Sequence, residues 1–350
     1  MHTNLKDLDP QELEQFILEL GEKPYRSRQI SKWIFCRYAE SFSEMTDLGI
    51  GLRDKLCSVC TVENSLKLQA RMDSSDGTCK YLFELADGNK IESVLIPDGR
   101  RNTLCISTQV GCAMGCTFCL TARIGKIRNL STSEIIDQYL IVDKLNNHSV
   151  TNIVYMGMGE PLDNLDNTVR SLKLFTSKDC VGISPKRITV STSGLVPKIK
   201  ELGNRITINL SVSLNAPYDE MRNHIMPVNK VYPIKMLLEQ CRKFPFPNRK
   251  LLTFEYVLIG DLNDSDNDAL RLAELIKGIN CKINLIPFNE AQPLIYRAPK
   301  ENRVISFQKI LWSYGLNARV RKSRGRDILG ACGQLAARYP LENQIRKFIN

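Results

Sequence analysis

Cys105-Ile-Ser-Thr-Gln-Val-Gly-Cys112-Ala-Met-Gly-Cys116-Thr-Phe-Cys119 closes a short apolar run with three thiols in CxxxCxxC spacing. Thiolates are soft ligands that select iron–sulfur clusters, zinc or copper(I). A [4Fe–4S] cube has four irons, so three clustered cysteines hold three of them and leave one open to another ligand. A structural zinc site wants four ligands, usually as two separated CxxC pairs. The nearest further thiols are Cys105, seven residues before Cys112, and the distant Cys57-Ser-Val-Cys60. No partner pair follows the latter, which reads as core packing. Buried structural thiols are the alternative for the triad, but its neighbours Gly111, Gly115 and Thr117 are small or polar. The spacing favours a cluster with an open iron.

The surrounding chain has 350 residues, 43% hydrophobic and 25% charged, an ordinary globular composition. That length suits one large α/β domain with an added module. No apolar run reaches the roughly 18 residues that span a membrane. The start, Met1-His2-Thr3-Asn4-Leu5-Lys6-Asp7, lacks the apolar centre of a signal peptide, so a cytoplasmic protein is expected. Twelve scattered cysteines in such a chain argue for reduced thiols and metal ligation, not a disulfide scaffold. Lys+Arg 48 against Asp+Glu 38 gives +10, a surplus that suits a polyanionic partner.

Upstream of the cysteine loop the periodicity changes twice. Residues 1–60 read as helices: one opens at Asp9-Pro10 with Leu13, Phe16, Ile17 and Leu20 at helical spacing. A second starts at Pro24 with Tyr25, Ile30, Trp33 and Ile34 on one face, and a third covers Leu52–Val59. Residues 65–97 alternate with period two around Asp76-Gly77 and Asp87-Gly88, an antiparallel meander with hairpin turns. Glu92 sits in its third strand and reads as an exposed carboxylate. Pro97-Asp98-Gly99-Arg100-Arg101 makes a plausible boundary, dividing an accessory domain (1–97) from a core (98–327) and a C-terminal segment (328–350).

From Thr103 strands and helices alternate. Strands are expected at 103–108, 151–157, 187–192, 206–214, 251–259 and 281–287, and helices at 131–146, 164–177, 195–203, 232–244 and 266–279. Such units build a parallel sheet curved into a full or partial barrel, with the chemistry at the C-terminal strand ends. The cysteine loop, Gly157-Met-Gly159-Glu160-Pro161, Ser191-Thr192-Ser193-Gly194, Ser213-Leu214-Asn215 and Pro287-Phe288-Asn289 all fall at those ends. A lone GxGE describes a tight turn. Beside a cluster loop, its small residues let backbone carbonyls approach a ligand's amino group. Ser191, Ser213 and Asn289 offer groups for a carboxylate or ribose, although each alone could be a strand cap.

A helix near 301–314 and a strand at 318–320 lead to Arg319, Arg321, Lys322, Arg324 and Arg326. Such a run is usually a solvated face, but its density suits phosphate contacts. Cys332 follows, flanked by small residues in Gly330-Ala331-Cys332-Gly333-Gln334-Leu335. It reads as either a catalytic thiol or an inert buried one.

The CxxxCxxC triad matches the signature of the radical S-adenosylmethionine (SAM) superfamily, in which the open iron chelates SAM. The ordered set of Cys105 with the triad, GMGEP (157–161), STSG (191–194), LIPFN (285–289) and GACGQL (330–335) resembles the RlmN-type RNA adenine C2-methyltransferases. The likeness reaches back to Pro24-Tyr25-Arg26 and Gln29-Ile30. It implies a partial (β/α)6 TIM-type barrel with an N-terminal helical and small antiparallel accessory domain. It implies a [4Fe–4S] cluster on Cys112, Cys116 and Cys119, with SAM contacted by Gly159, Glu160, Ser191, Ser213, Leu214, Asn215 and Asn289. One SAM would methylate Cys332. A second would yield a radical that activates that methyl group for attack on adenine C2. Cys105 would then release the product through a disulfide with Cys332, with Glu92 as proton acceptor. Family members act on an adenosine in the peptidyl-transferase region of 23S rRNA and on the adenosine 3′ of the anticodon in tRNA. A monomer served by an electron donor such as flavodoxin or ferredoxin is expected.

One position departs: the family's usual Ser-Leu-His is Ser213-Leu214-Asn215 here, and asparagine cannot titrate near neutrality. C8-methylating relatives read GMGEA and STIG where this chain has GMGEP and STSG. Methylthiotransferases usually bring a second cysteine cluster. A non-enzymatic iron–sulfur or zinc RNA-binding module would leave Cys105 and Cys332 idle.

Overall fold

Asp9 sets the first helix, α1 (Pro10–Glu19). Its carboxylate accepts from the N–H groups of Gln11 and Glu12 while Glu12 bonds back to the Asp9 N–H, and Pro10 takes a position where no donor is lost. Helices α2 (Tyr25–Cys36) and α3 (Ile50–Val59) follow. Leu13, Ile17, Ile30, Ile34 and Leu56 are buried between them. Tyr25 departs from its expected buried face, being 45% exposed with the Arg26 guanidinium over its ring. Of the CxxC pair only Cys60 is core; Cys57 is exposed. The computed structural model describes residues 3–246 and 251–336, so residues 337–350 of the expected C-terminal segment lie outside the described residues.

Charge fixes this bundle to the rest of the chain. Lys6 Nζ lies 2.6 Å from Asp137 Oδ1, with both side chains essentially inaccessible to water, and also donates to Asn64. Asp137 belongs to the helix Thr132–Leu145, and the neighbouring Ser133 N–H donates to Asp7. Removing one partner of such a pair strands a buried charge. Lys6→Met is therefore expected to lower stability by about 3–5 kcal/mol, and Lys6→Met with Asp137→Leu to recover most of it. Urea midpoints of the single and double variants measure both changes.

The period-two stretch forms β1 (Leu66–Asp73), β2 (Cys79–Leu85), β3 (Lys90–Asp98) and β4 (Arg101–Cys105), an antiparallel meander. Then β5 (Asn152–Tyr155), β6 (Ile188–Thr192), β7 (Asn209–Ser213), β8 (Leu252–Leu258), β9 (Cys281–Pro287) and β10 (Asn317–Val320) join β4 in chain order, each parallel to the last. One 10-stranded sheet results, and the expected boundary between residues 97 and 98 falls in the last residues of β3, where Pro97 and Asp98 pair with Asn102 and Arg101. The parallel half is the expected α/β partial barrel, open because β10 and β4 do not pair among the described residues. Helices α4 (Leu120–Ile124), α5 (Thr132–Leu145), α6 (Leu165–Thr176), α7 (Val196–Arg205), α8 (Asp219–Ile225), α9 (Ile234–Arg242), α10 (Asp266–Leu275) and α11 (Glu301–Ser313) connect the strands. Among the described residues no helix is long and apolar enough to cross a membrane.

The meander corrects the reading of Glu92, which is 1% exposed. Register places Leu82 opposite Glu92 and Lys80 opposite Val94, and directly opposed residues share a face. That face carries the C-terminal segment: the Ala336 N–H donates to Glu92 Oε2 at 2.9 Å, and Lys80 Nζ to the Leu329 carbonyl at 3.3 Å. Lys80 Nζ stands 2.9 Å from Glu92 Oε1 and supplies the partner that a carboxylate buried there requires.

Candidate active site

The chain leaves β4 at Cys105 and stitches itself to the next strand. Ile106 donates to Val154 and Gly157 to Ile106, while the Thr108 N–H reaches the Met158 carbonyl. So close is this approach that a Cβ on Gly159, at φ +97°, would stand 2.5 Å from Gln109 Cβ; only glycine fits. A Cβ on Gly111 would meet the Gly125 carbonyl oxygen at 1.7 Å, so the cysteine loop folds against the end of α4 only without a side chain there. Thr117 N–H then bonds the carbonyl of Ile225, the last residue of α8, and Cys119 precedes α4.

These turns place Cys112, Cys116 and Cys119 in the wall of a cavity of about 980 Å³, its open mouth included. Gly159, Glu160, Ser191, Ser213, Asn215, Asn289 and Cys332 line the same cavity. Leu214 alone of the expected SAM contacts has its side chain in the core. Glu160 is anchored from three sides. Its N–H donates to Gln109, its Oε2 accepts from the Ser193 N–H at 2.7 Å, and its Oε1 accepts from the Leu162 N–H. Burial pushes its carboxyl up, against the pull of those N–H groups.

Asn215 adopts φ 58°, a left-handed conformation that asparagine tolerates. Its Oδ1 accepts from the Val257 N–H at 2.8 Å and its Nδ2 meets Met226 sulfur. The side chain is thus committed to holding the turn. Beneath it Arg222, fully buried, donates to the carbonyls of Ser193, Ser213 and Leu214 and to Asn229 Oδ1. Desolvation brings its guanidinium down to about 10. This hub fixes the backbone of two binding loops.

Two observations fit the wall to a metal cluster and a polar ligand. Burial, joined by the neighbouring Cys119 and Cys112, pushes the Cys116 thiol well above its ordinary value, so thiols this close ionise only with a cation to take up the charge. Three thiols in one wall are the donor set a cluster takes, one thiolate to each of three irons. On the opposite wall Glu255 Oε1 accepts from Ser211 and Asn284, while its buried Oε2 has no protein partner. Such an oxygen suits a ligand's hydroxyl or ammonium donor.

A second cavity shares Cys119, Met156, Asn289, Arg321 and Cys332 with the first and adds Cys105, Arg319, Lys322 and Arg324. Cys105 and Cys332 therefore face one space, both as free thiols. Cys332 has an exposed surface because it stands where the cavities meet, yet protein crowds its sulfur. Desolvation accordingly raises its pKa, opposed by the Arg321 guanidinium. Burial raises Cys105 to about 12, with Cys332 adding and Arg321 subtracting. Arg321 is thus neither on a solvated face nor at the outer rim where the basic run is expected to meet phosphates; it lies between the two thiols' surroundings and Glu255. Arg326 also turns inward, donating to Asn289 Oδ1 at 3.0 Å, and Asn289 Nδ2 reaches the Cys332 carbonyl.

The segment carrying Cys332 is tied down ahead of it by acid groups. Asp76 Oδ2 accepts from the Gly325 N–H at 3.0 Å, and Asp327 accepts from Ser74 and Ser75. Burial raises the Asp76 carboxyl, but hydrogen bonds from Thr78, Gly325 and Ser74 outweigh it and bring the value from 3.8 to about 2. A depressed folded-state pKa gives stability that is complete above 3.8 and lost as the pH falls through about 2. Hydrogen exchange at the Gly325 amide is expected to rise across that window. Asp76→Asn, which cannot titrate, should flatten the rise.

Sequence reasoning missed Arg222, Glu255 and the inward turn of Arg321. For Glu255 a signal existed, a carboxylate between Phe254 and Tyr256 in a strand buried on both faces; for Arg222 there was none. Known proteins give the geometry its context. Residues 3–62 match the family model of the Ribosomal RNA large subunit methyltransferase N-terminal domain, and residues 106–273 that of the Radical SAM superfamily. The Dual-specificity RNA methyltransferase RlmN of Geobacter sulfurreducens is 50% identical over 95% of this chain and 91% of its own. That of Geotalea uraniireducens is 49% identical over 96% and 97%. A solved radical SAM methyltransferase from Sphaerobacter thermophilus superposes with a TM-score of 0.90 at 40% identity, covering 96% of this chain and all of that one.

Proposed function

The chain belongs to the RlmN family of radical SAM RNA methyltransferases, and from that membership we propose that it methylates C2 of adenosine in 23S rRNA and in tRNA. The observation that carries the reading is the pair of joined cavities: three clustered thiols in one, Cys105 in the other, and Cys332 in the wall of both. Cys112, Cys116 and Cys119 would hold the [4Fe–4S] cluster. The walls formed by Gly159, Glu160, Ser191, Ser213 and Asn289, with the backbone at Leu214 and Asn215, would hold SAM. Bound there, cluster and SAM would supply the radical chemistry that lets a methyl-derived carbon attack an aromatic position too electron-poor to attack a methyl cation donor.

Cys332 would carry the transferred carbon as a thioether from the first cavity to the second. Cys105, facing the same space, would take over its sulfur as the product leaves, and Glu92, behind the Cys332 segment, would accept the C2 proton. Arg319, Lys322 and Arg324 at the rim would meet RNA phosphates. Asn215, with its side chain bonded to Val257 and Met226, would contribute backbone contacts and no acid–base chemistry. Placement in the cytoplasm, a monomeric state and reduction by a flavodoxin or ferredoxin belong to the same proposal.

Mass spectrometry of 23S rRNA and tRNA from a strain lacking the gene tests it. Loss of 2-methyladenosine from both RNAs, restored by the gene, is the expected result. Loss of 8-methyladenosine instead, or no loss, would overturn the assignment.

A further inference from the structure

The Cys332 segment is gripped at both ends by one buried ion pair. Lys80 Nζ donates to the carbonyl of Leu329, three residues before the cysteine, and Glu92 Oε2 accepts from the N–H of Ala336, four residues after it. The two side chains close on each other at 2.9 Å, with relative exposures of 5% and 1%. Both stand on adjacent strands of the meander, on the face turned to the segment. On its other side the segment meets the start of α4: Leu120 N–H donates to the Gly333 carbonyl and Thr121 Oγ1 to that of Leu335. Cys332 thus spans a gap between the meander and the turn that begins at Cys119.

We propose that Lys80 is a positioning residue which, with Glu92, clasps the Cys332 segment so that its thiol stands at the junction of the two cavities. The physical reason is local. A loop of small residues such as Gly330-Ala331-Cys332-Gly333 has much backbone freedom to lose, and neutral hydrogen bonds at a solvent-facing rim would hold it weakly. A charged donor and a charged acceptor in a dry site hold a carbonyl and an amide more firmly, and each fixes the other. The meander, which lines none of the SAM wall, thereby places the thiol of Cys332 as well as carrying Cys105 at the end of β4. The inference rests on the reading of Cys332 as the methyl carrier.

Two measurements on Lys80→Met and Lys80→Arg test it. The first is hydrogen exchange of peptides covering 329–336 in the isolated protein, with neither SAM nor RNA added. Losing a charge-assisted clasp should speed exchange there about tenfold or more in Lys80→Met while peptides of α5 stay unchanged. The second is the methyl occupancy of Cys332 by mass spectrometry, expected to fall about tenfold or more in Lys80→Met, in step with the lost positioning. Lys80→Arg, which keeps the charge and donors, should restore both to within about threefold. Wild-type exchange in Lys80→Met, wild-type methyl occupancy there, or a Lys80→Arg segment as loose as that of Lys80→Met overturns the proposal. Lys80→Met strands Glu92 as a lone buried charge; if it does not fold, Lys80→Met/Glu92→Leu removes both charges. A loose segment in that folded protein supports the clasp and a tight one overturns it. If wild-type Cys332 carries no methyl group, the carrier reading fails, and the exchange arm still decides the clasp.

Discussion

Replacing Cys112, Cys116 or Cys119 by alanine is expected to remove the visible absorption of the iron–sulfur cluster and with it all RNA methylation. Each thiolate would hold a different iron, so no neighbouring ligand can take over a vacated corner. The cost to rate is the whole enhancement that the radical route provides, about a million-fold or more. The three thiols share one cavity wall, and burial pushes Cys112 up to about 12 and Cys116 well above its ordinary value, so without iron these two are protonated and inert. Cys241, 1% exposed inside the core, supplies the control: Cys241→Ala should keep the full spectrum. A Cys116→Ala protein with undiminished iron and absorption would falsify the ligand assignment.

Much of this site is legible because its residues recur where strands end. Hydrophobic period and glycine placement mark β5 through β9, and Gly159, Ser191, Ser213 and Asn289 then fall at one rim of the barrel without any knowledge of packing. What stays hidden depends on the second face of an element. The alternation in β2 and β3 shows one apolar face and leaves the other to be taken as solvated, so Glu92 reads as exposed. Only the return of residues 329–336 across that face, some 240 positions later in the chain, buries it beside Lys80. Arg321 misleads for the same reason. Five cations in eight residues look like one charged surface, but β10 ends at Val320, and the chain leaving it turns Arg321 inward toward Cys105 and Cys332 while Arg319 and Lys322 stay exposed. The short helices α4 and α8 escape because five and seven residues hold too few turns for a period. Arg222 escapes with α8: nothing local distinguishes an arginine that will collect three backbone carbonyls.

The two thiols outside the triad should fail in opposite ways. Cys332→Ala leaves no sulfur to carry the methyl carbon, so neither product nor covalent RNA should form. Cys105→Ala keeps Cys332, the SAM wall and the clasp that holds the segment, so the methyl group is still loaded and the carbon still joins adenine. What it lacks is the release. In the proposed release the Cys105 thiolate would attack the Cys332 sulfur; an S–S bond would form as the S–CH2 bond breaks, and the carbon would keep that electron pair and take a proton to become methyl. Such an exchange needs the two sulfurs in one space, and Cys105 and Cys332 line the same cavity. Its other cysteine, Cys119, is committed to the triad. The Cys105→Ala protein is therefore expected to accumulate RNA joined to Cys332 through a thioether, with turnover reduced by about a thousandfold or more, the scale on which enzymes lose rate when a covalent step has no partner. A gel shift that survives denaturant and disappears with nuclease would display the adduct, and peptide mass spectrometry would place it on residue 332. Full activity of Cys105→Ala, or an adduct formed by Cys332→Ala, would exclude this division of labour.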